Sequence, residues 1–214
     1  ESCYPDFFLL IFSIFFLYVC IAKLFNEVGE TRFNEIAEYC KIVFLISLMK
    51  NNKDNFINDQ LWNAAWRAAT QRANIYSGNI NKIEFRNNIK NDVLNFITNH
   101  KESLSEIELV NKIETLSKKF SCKGIDFKIG HSQKLLNLML KYYWCLGWLK
   151  YIPPHCPVDR IILNAAKVKC KGKTPSWTKL NANDEYKEII NKIRSNVNSK
   201  ELSEWELMVY QKKT

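Results

Sequence analysis

Glycine and proline are scarce, at 6 and 5 of 214 residues, and no tract is of low complexity. Their scarcity excludes a flexible Gly/Ser-rich or Pro-rich linker, and the lack of a repeating period excludes a solenoid. One compact domain spanning residues 1–214 is expected, since a chain of this size buries about 70% of its unfolded surface without help from disulfides. No two of the seven cysteines (Cys3, Cys20, Cys40, Cys122, Cys145, Cys156, Cys170) have C-x-x-C spacing. Their odd number and mostly apolar surroundings read as free thiols of a reducing compartment, and the adjacent His155 and Cys156 lack near partners for a tetrahedral zinc site. No metal or other cofactor is expected. An R-x-x-x-x-H ribonuclease motif, a phosphate-cradling glycine loop and a G-x-S-x-G elbow are all missing. Asp126-Phe127-Lys128 is a lone D-x-K with no second acidic ligand for a metal-dependent nuclease. Sustained alternation of period two is missing as well. The expected fold class is therefore all-α, a single multi-helix domain, with Lys123 to Gly130 the longest stretch open to a hairpin.

Carboxylates are depleted in one place. Between Lys118 and Lys173 only Asp126 and Asp159 face twelve cations, a net +10 in a chain whose total is +9. A cationic surface of this kind concentrates phosphate polyanions through counterion release. Duplex DNA is the expected partner, and a monomeric, cytoplasmic, nucleoid-associated protein the expected setting. A solvated lysine-rich face is the competing reading of the same charges.

The N-terminal run Phe7 to Ala22 is 16 residues long and apolar except for Ser13. It falls short of the ~20 residues of a membrane span and no basic stretch precedes it, so a buried helix is expected. A signal anchor or membrane helix competes, because Lys23 closes the run as a flanking charge would, and Glu1 in place of Met points to a start upstream.

Helical spacing recurs through Phe33, Ile36, Ala37, Cys40, Val43, Phe44 and Ser47. After a polar connection from Lys50 to Asp59 it resumes through Leu61, Ala64, Ala65, Ala68, Ala69, Arg72 and Tyr76, with Gly78 as the stop. Trp62 and Trp66, one turn apart, belong to the core. Phe85, Ile89, Val93, Phe96 and Ile97 mark a further helix. Ser105, with Glu108 three residues on, forms a capping box for the next, whose apolar side carries Ile107, Val110, Ile113 and Leu116.

The central segment is denser in chemistry. It combines a turn (Gly130-His131-Ser132), a long helix from Gln133 to about Lys150, an elbow (Pro153-Pro154-His155-Cys156-Pro157) and another helix from Asp159. Each proline fixes its own φ and drives the preceding residue out of the helical region, so the elbow delivers Asp159 stiffly to a helix N-terminus, where its carboxylate can cap backbone N–H groups. Lys134 falls on the first turn of the preceding helix, with Lys141 two turns above it on the same face. An amine at the positive end of a helix is placed to act as a nucleophile. Beside a carboxylate that stabilises positive charge on a sugar as its base departs, it forms the pair that base-excision chemistry uses. Taken singly, the same two residues read as a phosphate contact and a helix cap. Candidate substrate contacts around the pair are His131 and Gln133 at the turn, Asn137 one turn beyond Lys134, Lys141, His155 in the elbow and Arg160 after Asp159. Tyr142, Tyr143, Trp144, Trp148 and Tyr151 cover more than one face of their helix. Most of them pack in the core, leaving one or two, Trp144 among them, to stack on an extruded base. Trp177 follows Pro175-Ser176 in a basic loop, placed to wedge or to pack.

These residues resemble the helix-hairpin-helix DNA glycosylase superfamily, in which a hairpin ends in a nucleophilic lysine at the start of a helix and a later Pro-Val-Asp places the catalytic aspartate. The matches are Lys134 and Pro157-Val158-Asp159, and their separation of 25 residues is similar to that of the 8-oxoguanine glycosylase branches. The Lys134/Lys141 spacing most resembles the archaeal 8-oxoguanine form. The resemblance covers roughly Lys118 to Ala166, and Asp126-Phe127-Lys128-Ile129-Gly130-His131 stands where the usual L-P-G-φ-G hairpin would be. It implies a DNA glycosylase, with AP-lyase activity through the lysine, acting on a damaged or modified base. Ser132-Gln133-Lys134 and Pro154-His155-Cys156-Pro157 are also similar to a group of short bacterial proteins, a likeness that names no activity. Two other function classes compete. One is a noncatalytic helical nucleic-acid-binding protein in which these cations hold phosphates. The other is a membrane-linked helical interaction protein resting on Phe7 to Ala22.

Overall fold

The computed structural model describes residues 30–71 and 73–211. Helix makes up most of the described residues and no strand occurs among them, so the fold is all-α. The described residues form seven α-helices and one 3-10 turn in the order α1 (Glu30–Thr70), α2 (Lys82–Asn99), α3 (Glu106–Phe120), α4 (Ile129–Cys145), α5 (Arg160–Ala165), the 3-10 turn (Trp177–Lys179), α6 (Asn183–Val197) and α7 (Leu202–Gln211). The apolar run at residues 7–22 lies outside the described residues. The chain divides into two compact units, Glu1–Phe56 and Ile57–Thr214. In the first, Tyr39, Ile42, Val43, Leu45 and Met49 of α1 are 48 to 69% exposed. The second holds every candidate site residue.

The expected connection at residues 50–59 is helical: α1 runs through it unbroken. The stretch has no glycine or proline, and a run of Asn and Lys exposed to water interrupts a core without interrupting a helix. α1 then ends at Thr70, well before Gly78, with Thr70 Oγ1 donating to the Trp66 carbonyl at 2.8 Å. Gly78 serves another purpose. A Cβ there would meet Gly124 Cα at 3.3 Å, because residues 75–77 run beside residues 124–126, with Asp126 N–H donating to Ile75 O at 2.8 Å and Ser77 N–H to Gly124 O at 2.9 Å. Only isolated bridges result, Tyr76 with Ile125 and Cys122 with Ile125. The hairpin left open at residues 123–130 is thus one reverse turn about Gly124, whose φ is +88°.

α3 starts at the predicted capping box, Ser105 Oγ accepting from Glu108 N–H while Glu108 Oε2 accepts from Ser105 N–H. It buries Leu109, Val110, Ile113, Leu116 and Phe120. Ile107 is 73% exposed, opposite the expected side, because at 100° per residue it lies across the helix from Leu109, Ile113 and Phe120. Trp62 and Trp66 are core residues, and Trp66 stacks on Phe127 at 6.1 Å.

α4 is the central helix, packed against α3, α6 and the 3-10 turn, and every residue from Ile129 to Leu140 is buried. It begins four residues earlier than expected, so Gly130-His131-Ser132 is its first turn and not a loop. Two contacts fix that start: Lys128 N–H donates to His131 Nδ1 at 3.0 Å, and Gly130 N–H donates to Leu180 O at 3.1 Å. A Cβ at Gly130 would lie 1.9 Å from the Trp177 carbonyl oxygen, so only glycine lets the 3-10 turn approach this closely. α4 stops at Cys145, short of Lys150, and Gly147 (φ +71°) carries the chain away.

Candidate active site

Asp159 ends the proline elbow as the N-cap of α5, its Oδ1 accepting from Ile161 N–H at 2.8 Å and Ile162 N–H at 3.1 Å. Oδ2 accepts from Lys134 Nζ at 3.2 Å and from the Tyr210 hydroxyl at 3.2 Å. Lys134 sits on the second turn of α4, since the helix starts at Ile129, and its Nζ lies 4.5 Å from the centre of the Trp177 indole. Carboxylate and indole face are both partners of an ammonium. The two side chains are only 11 and 12% exposed, so the pair is largely withdrawn from water yet reachable. A pocket of about 210 Å³ opens on it, lined by Ala68, Gln71, Lys134, Asp159, Arg160, Ile161 and Trp177. A second of equal size adjoins, lined by Arg160, Pro175, Ser176, Trp177 and Thr178. Each is smaller than the roughly 300–1,000 Å³ of a drug-sized ligand site, room for a single ring system rather than a dinucleotide.

The neighbour of Lys134 sets the geometry. Gln133 is fully buried and grips the backbone beside Asp159: its Nε2 donates to Val158 O at 2.8 Å and to Gly130 O at 3.0 Å, while its Oε1 accepts from Val158 N–H at 3.0 Å. A primary amide is the side chain that matches both polar groups of one residue. Asn137 follows one turn on, donating to Gln133 Oε1 at 3.4 Å and to the Tyr186 hydroxyl at 3.0 Å. Tyr186 in turn meets His155 Nδ1 at 2.8 Å, and His155 Nε2 lies 3.0 Å from Glu106 Oε1. Burial pushes the His155 pKa down, and the hydrogen bond from His155, with Arg194 nearby, brings that of Glu106 down to about 2.

Of the nine residues predicted for the site, Lys134, Asp159 and Arg160 line the pocket. Gln133, Asn137 and His155 are interior links that hold the elbow to α4 and α6, because burial forces each to find a protein partner. His131 is buried beneath Trp177, with ring centroids 6.2 Å apart. Lys141 turns to Glu206 at 2.8 Å, and Trp144 packs on the core. Tyr143 is buried with its hydroxyl on Asn58 Oδ1 at 2.6 Å, and Trp148 meets its edge at 5.1 Å. The pocket's aromatic is Trp177. Tyr210 and Gln71 were missed by sequence reasoning. For Tyr210 a signal existed, since Ser203, Glu206 and Tyr210 follow the three- and four-residue spacing of one helix face.

The basic block is also refined. Lys118, Lys119, Lys128, Lys134, Lys141 and Lys150 each pair with a carboxylate, four of them outside residues 118–173. Lys123, Arg160, Lys167, Lys169, Lys171 and Lys173 are exposed and have no carboxylate partner among the described residues. Five of these six lie between Arg160 and Lys173, and no Asp or Glu occurs from Arg160 to Asn183. Lys171 (φ 50°) and Gly172 (φ +77°) form the tip of a tight turn closed by the Cys170–Lys173 bridge, which spreads the lysines outward. Uncompensated charge is therefore concentrated on the segment that supplies Arg160 and Trp177 to the pocket.

Cys122, Cys145, Cys156 and Cys170 are free thiols, and no cluster suited to a metal occurs among the described residues. No helix of the described residues is long and apolar enough to cross a membrane. No protein-family model, curated protein or solved structure matches the chain.

Proposed function

We propose that the protein is a DNA glycosylase that removes a damaged or modified base through Lys134 and Asp159, with strand cleavage by the same lysine. The observation that carries this reading is the buried 3.2 Å contact between Lys134 Nζ and Asp159 Oδ2 at the floor of a small pocket, beside a segment of unpaired cations. A lysine ion pair that served stability alone has no need of a pocket above it.

In the proposed reaction an extruded nucleotide enters the pocket and Trp177 offers an aromatic wall to its base. Lys134 gives up a proton, and its Nζ forms a bond to C1′ as the N-glycosidic bond breaks. The bonding pair departs with the base, which takes up a proton. The Asp159 carboxylate faces the positive charge that builds on the sugar. Ring opening then gives a protonated Schiff base, from which loss of a C2′ proton expels the 3′ phosphate and cuts the strand. Arg160 and the lysines of residues 167–173 hold the backbone phosphates.

Single-turnover kinetics on duplexes carrying different lesions tests the assignment of roles. Asp159→Asn is expected to slow base release by about two or more orders of magnitude while DNA affinity stays the same or rises, because a negative charge near the phosphates is gone. A variant that loses affinity alone would leave the noncatalytic binding protein as the better reading.

A further inference from the structure

Lys134 leaves the Asp159 carboxylate when it bonds to the sugar, but Tyr210 does not have to. Asp159 Oδ2 accepts from both, each at 3.2 Å. Tyr210 is carried by α7, which docks through one face. At its first turn Ser203 Oγ donates to Pro153 O at 2.9 Å and His155 O at 3.1 Å, both in the elbow. One turn on, Glu206 accepts from Lys141 Nζ at 2.8 Å although it is only 1% exposed. A carboxylate buried to that degree requires its cation, so this pair fixes α7 against α4. The Lys141 ammonium also lies 5.0 Å from the centre of the Tyr210 ring, and the phenol one turn beyond Glu206 is thereby aimed at Asp159.

We infer that Tyr210 is a positioning residue for base excision, its hydroxyl keeping the Asp159 carboxylate turned toward the sugar after Lys134 has departed, an assignment that rests on the glycosylase reading. Oδ1 stays tied to two backbone N–H groups. A carboxylate held by one oxygen is free to pivot about that anchor, and a second donor on Oδ2 removes the freedom. A neutral donor does so without cancelling the negative charge the transition state needs. Burial, and then the Asp159 and Glu206 carboxylates, push the phenol's pKa up, so it keeps its proton wherever the enzyme works. Lys141, conspicuous in the sequence as a companion of Lys134, is on this account an anchor for the helix that carries Tyr210.

A double-substitution cycle of Tyr210→Phe and Asp159→Asn tests the inference, read by single-turnover base release, DNA affinity and melting temperature. Tyr210→Phe is expected to slow base release roughly ten- to a hundredfold, the share of one hydrogen bond to a charged group, and to leave affinity within about twofold. In the Asp159→Asn background it should add little, and the two melting shifts should likewise be non-additive. An active wild type with additive losses in both backgrounds, or no loss from Tyr210→Phe, overturns the role of Tyr210 alone. A wild type that releases no base from any duplex, yet keeps the coupled melting cycle, places the failure in the glycosylase reading.

Discussion

His131 carries a cost that pH can expose. Its ring is buried between Phe127 and Trp177 and its Nδ1 accepts the Lys128 N–H, so the neutral form fits the fold and burial brings the pKa down to about 4 from an ordinary 6.5. The folded chain then binds fewer protons than the unfolded chain between those values. Stability from this residue is whole above pH 6.5 and is lost as pH falls through about 4, by roughly 3 kcal/mol in all. His155 is shifted in the same direction by burial and adds to the slope. His131→Gln removes one of the two titrations, so its melting temperature is expected to fall less steeply with acid than that of the wild type. Parallel slopes from pH 7.5 to 4.5 would show that His131 does not titrate in this way. Buried Cys156 is pushed up by burial and takes no part in the chemistry proposed.

Among the elements, the contact between α4 and the 3-10 turn decides where Trp177 lies relative to Lys134. Gly130→Ala forces backbone to move, since the new carbon would stand 1.9 Å from a carbonyl oxygen. A loss of about 1–3 kcal/mol is expected, read as a melting temperature several degrees lower, together with a shifted Trp177 fluorescence. An unchanged spectrum and melting temperature would contradict so close an approach. This element also separates what sequence could disclose from what it could not. The elbow, the Asp159 cap and the Ser105 capping box were legible because proline geometry and capping act within a few residues. Lys134 and Asp159 meet across 25 residues, and residue chemistry suggested the pairing without fixing its distance. The start of α4 is not legible in the sequence, because Gly130 reads as a turn until the Trp177 carbonyl is seen to press on it. Gln133, Asn137 and His155 have substrate-binding chemistry, and only burial shows that they spend it on Val158 and Tyr186. Tyr210 and Glu206 reach their partners across 51 and 65 residues, beyond any local rule.

For the whole molecule, the charge that matters is smaller and more local than the net +10 of residues 118–173. Half of those twelve cations are neutralised by carboxylates, and five of the other six lie between Arg160 and Lys173. About six phosphate contacts would make log K fall with log salt at a slope of roughly −5, measurable by fluorescence anisotropy on a labelled duplex. Replacing Lys171 and Lys173 by Gln should lessen the slope by about 2, whereas the same change at Lys118 and Lys119 should leave it nearly unaltered. Absence of binding at low salt would remove DNA as the partner. Borohydride trapping on a panel of damaged duplexes reads out whether Lys134 is a nucleophile aimed at a sugar carbon. A covalent protein–DNA adduct is expected with at least one lesion, abolished by Lys134→Gln while affinity falls only by about one phosphate contact's share. An adduct that persists in Lys134→Gln, or a wild type that binds every duplex and is trapped on none, would contradict it.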